Sequence, residues 1–256
     1  MVLKVVDIVK DSYSTLFRNR TVLAYVVITA VISSILVSSV TSLVGISPGV
    51  ASASSLAAVH ANLALLVAMV VVGFLVSVFF AGAVLTAAQA GWKGGFADAA
   101  RNSLSRYLSL LGADLLSAVI IAVPFVAFYV FGLLVLFSSV SFVSVIPFIF
   151  GILLILVGVM LLALLGVRFS ISLVGAINGN MRAVQSVKHS WQATKGSYWR
   201  VFAILLVIGI VMLVIGDGLA IALRTLDLSA IGYFVLAILG GAGSVAIVRV
   251  YEALPR

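Results

Sequence analysis

LLSAVIIAVPFVAFYVFGLLVLFSSVSFVSVIPFIFGILLILVGVMLLALLGV, residues 115–167, contains no Asp, Glu, Lys or Arg. A membrane helix needs roughly 20 apolar residues, so this run holds two spans. A second uncharged run, 21–92, is long enough for two more, and shorter ones cover 201–216 and 228–248. The long runs break at Gly45-Ile46-Ser47-Pro48-Gly49 and at Ser138-Ser139-Val140-Ser141, ahead of Pro147. The reading is six transmembrane helices near 21–44, 61–89, 110–136, 147–168, 201–223 and 229–248. The segments are rich in Leu, Ala and Val and show no strict alternation, so helices are favoured over a closed barrel.

The rest of the composition agrees. Of 256 residues, 64% are hydrophobic and 9% charged, and the mean hydropathy is +1.36. Soluble domains are nearer half apolar and a quarter charged, so a water-soluble globular fold is excluded. The fold class is therefore all-α, a polytopic helix bundle forming a single integral membrane domain over 1–256. Cysteine is absent, which removes disulfides, thiolate metal sites and thiol nucleophiles.

Net charge is +8, and in a membrane protein such an excess reports topology. Lys4, Lys10, Arg18 and Arg20 precede the first span; Lys93, Arg101 and Arg106 follow the second. Arg168, Arg182, Lys188, Lys195 and Arg200 lie between the fourth and fifth, and Arg249 and Arg256 follow the sixth. Arg224 alone falls on the other side, which places both termini in the cytoplasm of a multi-pass plasma-membrane protein. The first span is too long and lacks a nearby small-residue cleavage site, so it is read as a retained helix.

Each pair of spans is preceded by an amphipathic segment. Val2, Val5, Val6, Val9, Tyr13, Leu16 and Phe17 recur at helical spacing, as do Phe96, Ala99, Ala100, Leu104 and Tyr107. Met181, Val184, Val187 and Trp191 share a third face, with Asn180 placed to cap that helix and Gly196 to stop it. Three interfacial helices near 2–17, 95–107 and 181–195 are expected on the cytoplasmic surface. They divide the chain into pseudo-repeats 1–90, 91–175 and 176–256.

Candidate chemistry is sparse. His60 and His189 fall on opposite sides of the membrane, so they do not form one metal site, and no cofactor or metal is implied. The serines have no histidine partner at membrane depth, and no Gly-Lys-Ser/Thr phosphate loop occurs. Gly91-Trp92-Lys93-Gly94-Gly95 reads as a turn between a span and a surface helix. Two membrane acids, Asp114 and Asp217, sit near opposite ends of spans three and five. A charged Asp costs ~2.5–3.5 kcal/mol at the bilayer centre and less near an end. Paired with an Arg they are structural; Arg106, Arg168 and Arg249 are the candidates for Asp114, and Arg224 for Asp217. Unpaired, they fit the mouths of a transporter or channel subunit.

The linker Arg182, Lys188, Trp191, Lys195, Trp199 and Arg200 combines cations with interfacial aromatics. Anionic lipid headgroups are its expected partner, at ~1 kcal/mol per cation, and other membrane proteins a further one. No recognition module for nucleic acid surrounds it. A non-enzymatic scaffold that organises lipid or a complex is the first reading, and transport the alternative. Small residues Gly73, Ser77 and Ala81, and Gly240, Gly241, Gly243 and Ser244, mark close helix packing.

Two further stretches, Ala183-Val184-Gln185-Ser186-Val187-Lys188-His189-Ser190-Trp191 and Gly196-Ser197-Tyr198-Trp199-Arg200-Val201-Phe202, resemble the signature linker of a family of prokaryotic six-span membrane proteins. That family is similar to the membrane domain fused to some glycerophosphodiester phosphodiesterases. The stretch Asp11-Ser12-Tyr13-Ser14-Thr15-Leu16-Phe17-Arg18-Asn19-Arg20 is similar to its start. The resemblance implies a stand-alone membrane domain without an assigned activity, and carries no catalytic residue over.

Overall fold

The computed structural model describes residues 5–44, 61–142, 145–217 and 229–254. All regular structure among these residues is helical. The order is α1 (Val5–Arg18), α2 (Arg20–Val44), α3 (Leu63–Ala87), α4 (Phe96–Ser105), α5 (Tyr107–Phe142), α6 (Val145–Phe169), α7 (Ser172–Asn178), α8 (Ala183–Lys195), α9 (Tyr198–Val211) and α10 (Ser229–Ala253). A π-helical stretch, Met212–Asp217, continues α9.

Four helical segments among the described residues are long and apolar enough to cross a membrane: Leu63–Ala87, Tyr107–Phe137, Ile146–Asn178 and Tyr198–Ile215. A fifth is obtained if α1 and the following Arg20–Leu36, bent by 86° at Asn19, count as one broken span. The coarse expectation of a multi-pass helical protein therefore holds, with four or five candidate spans among the described residues. The segment assigned to the sixth, 229–248, lies within helix α10.

Two local expectations are corrected. The backbone stays helical through Ser138, Ser139, Val140 and Ser141, and α5 ends only at Phe142. Serine costs a helix well under ~1 kcal/mol per residue, too little by itself to break one. Asn180 does not cap α8; Arg182 occupies that position, its N–H donating to Gln185 Oε1 at 3.2 Å. Asn180 instead takes the left-handed conformation, φ 52°, in the turn from α7, a role asparagine tolerates better than most residues. Gly91, φ 79°, turns the chain in the expected place between α3 and α4.

The chain forms two compact units, residues 1–107 with 203–253, and 108–202 with 254–256. In the first, α2 packs on both α3 and α10, α4 covers the end of α3, and α1 runs against α10. Its core includes Leu16, Val22, Tyr25, Val26, Ala30, Val245 and Val248. Tyr25 stacks on Phe96 at 4.1 Å and donates its hydroxyl to the Phe96 carbonyl at 2.7 Å. Gly241 of α10 lies against Val26 with no room for a side chain.

In the second unit, Gly132 of α5 meets Gly151 and Ile155 of α6, while Phe128 meets Gly158. Rising numbers on one helix thus pair with falling numbers on the other, so α5 and α6 run antiparallel. Their contact is close enough that a Cβ at Gly132 would come within 2.9 Å of the Gly151 carbonyl. Small residues let backbones approach in this way where lipid offers no hydrophobic drive.

Burial is uneven along the spans. In α3 the apolar residues Leu63, Leu65 and Val70 are exposed, whereas 82–88 are buried throughout. In the α6–α7 segment Phe148, Leu153 and Met160 are exposed, and Val167, Ile171, Val174 and Ala176 buried. In both, the buried end is the one that leads into the following short helix, α4 or α8.

Candidate functional site

The basic–aromatic linker is held by α8. Its inward side is polar: Ser186, Ser190 and Thr194 are fully buried. Ser190 donates to the Arg168 carbonyl at 2.7 Å, and Ser186 donates to the Ser172 carbonyl. Gly175 leaves the space this second contact needs, since a Cβ there would sit 2.7 Å from Ser186 Oγ. Ser172 in turn shares a hydrogen bond with Ser117 of α5 at 3.0 Å. These hydroxyls find acceptors at a span end, where buried polar groups must be paired. α4 docks in the same way in the other unit, with Ser103 donating to the Phe79 carbonyl of α3 at 2.7 Å.

With the hydroxyls inward, α8 presents its other side. Val184 is 68% exposed and Trp191 44%; Arg182, Lys188, Lys195 and Arg200 are exposed too, and Trp199 is 75% exposed. The structure therefore brings the linker residues to the exterior of one segment, α8 and the start of α9. Trp191 keeps partial cover from Phe169, ring centres 5.6 Å apart.

Arg168 belongs to this site, although the sequence placed it only among the cytoplasmic cations. Its guanidinium lies 5.0 Å from the Trp191 ring centre and 5.3 Å from that of Tyr198. Cation–π attraction of this kind is worth ~0.5–2 kcal/mol. Tyr198, Trp199 and Phe202 form a ring cluster with centres 5.3–6.3 Å apart. The missing signal was register: Arg168 precedes Trp191 by 23 positions, and no periodicity links the two helices.

Asp114 is half-buried on α5 and makes no ion pair among the described residues. The arginines expected beside it are engaged elsewhere or show no such pair. Arg168 holds the aromatic rings, and Arg249 holds Asp11 at 2.8 Å and Glu252 at 2.9 Å. Asp217 closes the π-helical stretch; its side chain, together with His60 and Arg224, lies outside the described residues.

The Arg249 network is the second polar centre, and sequence reasoning missed it. Arg249 also donates to Thr15 Oγ1 at 3.2 Å, and Glu252 accepts the Ala90 N–H at 2.8 Å. Three segments far apart in the chain are thereby tied by charge-assisted bonds. Beside it, Asn19 holds the α1–α2 bend: its Oδ1 accepts from the N–H of Thr21 and Val22 at 3.0 and 3.2 Å, and its Nδ2 donates to the Ala87 carbonyl at 2.8 Å.

No family model, curated protein or solved structure matches the chain.

Proposed function

We propose that this is a non-enzymatic multi-pass protein of the plasma membrane, with six spans and both termini cytoplasmic, that organises lipid or a membrane complex through its basic cytoplasmic face. The likeness of its linker to the prokaryotic six-span family is part of the same proposal. Support comes from the outward side of α8 and the start of α9. Val184, Trp191 and Trp199 are exposed there beside Arg182, Lys188, Lys195 and Arg200, while the hydroxyls of the same helix point inward. Rings of this kind favour the headgroup layer, and the cations favour anionic lipid.

The test is the lipid retained by purified protein. Mass spectrometry of protein extracted from a mixed membrane should show enrichment of anionic over zwitterionic lipid. Changing Lys188, Lys195 and Arg200 together to Gln should reduce it severalfold. Equal enrichment in the triple variant refutes the role of this face.

Transport is the second reading, favoured by one observation: Asp114 has no cationic partner among the described residues on an otherwise apolar helix. An unpaired acid at membrane depth is costly and often functional.

A further inference from the structure

At the α1–α2 bend the first unit contains an open cavity of about 410 Å³, lined by Asp11, Arg18, Asn19, Arg20, Trp92 and Lys93 among others. That volume lies within the ~300–1,000 Å³ range of small-ligand sites. Its chemistry is one-sided. Arg18, Arg20 and Lys93 form no ion pair among the described residues. The one carboxylate, Asp11, is held by Arg249 at 2.8 Å. Asn19 is committed to the helix cap and to Ala87, which fixes the two arginines on either side of the bend.

Trp92 lines the cavity next to Lys93. The ring's position depends on Gly94, because a Cβ there would lie 2.8 Å from Trp92 Cε2. Three unpaired cations around one cavity call for a compact anion rich in acceptor oxygens. Guanidinium groups suit phosphate because they pair with it bidentately.

We propose that this cavity binds a phosphate-bearing anion, with Arg18, Arg20 and Lys93 supplying the countercharge. The phosphate is that of a phospholipid headgroup or of a soluble phosphate. The lipid source rests on the membrane function proposed above; the anion site itself does not.

The experiment uses the full chain in detergent, titrated with short-chain phosphatidic acid, short-chain phosphatidylcholine and inorganic phosphate, with thermal stabilisation as the readout. Phosphatidic acid should stabilise saturably and phosphatidylcholine should not. Each cation is worth about fivefold in affinity at ~1 kcal/mol, so R18Q/R20Q/K93Q should weaken binding about a hundredfold. The single variants R18Q and K93Q should each weaken it about fivefold, which guards against a triple variant that folds poorly. K188Q/K195Q/R200Q, in the other face, should bind as wild type does. Competition by inorganic phosphate identifies a soluble phosphate as sufficient; phosphatidic acid binding without such competition identifies the lipid. Undiminished binding by R18Q/R20Q/K93Q and by both single variants, or equal stabilisation by phosphatidylcholine, overturns the site. If instead only K188Q/K195Q/R200Q loses binding, the cavity is refuted while the function assigned to the α8 face stands.

Discussion

Adjacent glycines of α10 should respond to alanine with opposite signs. A Cβ at Gly241 would overlap Val26 Cγ2, and would lie 2.9 Å from Cγ1 and 3.3 Å from Cβ of the same residue. Carbon atoms pack comfortably at ~3.5–4.0 Å, so both methyls stand in the way. Val26 is 3% exposed and β-branched, hence stiff in a helix and unable to swing aside. Overpacking of this kind costs about 1–3 kcal/mol, and alanine regains ~0.5–1 kcal/mol of helix propensity over glycine. The net loss for Gly241→Ala is about 1–2 kcal/mol. At Gly240 the nearest outside atom is Met212 Cε at 3.9 Å, an ordinary contact with a flexible tip. Gly240→Ala should therefore stabilise by ~0.5–1 kcal/mol. Unfolding in mixed micelles, followed by loss of helical circular dichroism, would rank the two variants and wild type. The double variant Val26→Ala/Gly241→Ala supplies the cycle: it retains only the 3.3 Å approach to Cβ, which a few tenths of an ångström relieve. A coupling of at least about 1 kcal/mol is expected between the two positions. Equal effects at Gly240 and Gly241, or additive behaviour with Val26, would refute the close α2–α10 contact.

Asn19→Ala removes the cap of α2 and the tie to Ala87, and should cost about 2 kcal/mol of stability; Asn19→Asp keeps the cap acceptor and should recover roughly half, by the same unfolding assay. Tyr13→Phe deletes a buried hydroxyl that has no partner among the described residues, and should be neutral or stabilising by up to ~1 kcal/mol. Asp114→Asn should leave the fold intact and create or abolish no proton-coupled flux in reconstituted vesicles; a wild-type flux lost in the folded variant would establish transport instead. Compartment-reporting tags at either end should both report cytoplasm, and an external tag would overturn the topology.

Composition and uncharged runs were enough to read an all-helical chain with several apolar segments, because both depend on residue type alone. Helices at 5–18, 96–105 and 183–195 fall close to the segments marked by helical spacing. That spacing left open which side of α8 meets the protein. The serines and threonine that do so form a second stripe on the same helix, and their worth depends on carbonyls that another helix supplies. The partner of Arg249 was equally out of reach. Asp11 was as available in the sequence as Asp114, and only the packing of α1 along α10 decides between them. Asn180 looked like a cap because asparagine suits both a cap and a left-handed turn; two residues of chain decided which.

The way α4 and α8 lock onto the preceding span bears on the order in which the chain can assemble as it is made. The serine that seals each span end follows its carbonyl acceptor by only 24 residues for Phe79 and 22 for Arg168. At ribosomal rates of ~5–20 residues per second, each lock becomes available about 1–5 s after its acceptor emerges. α10 has no such immediacy: its seat on α2, where Val26 meets Gly241, must wait until residues 108–202 have been synthesised. During that interval the seat is an uncovered apolar seam on a nascent protein. A chain released before α10 would keep its early locks and lose that closure, leaving quality control a specific surface to recognise.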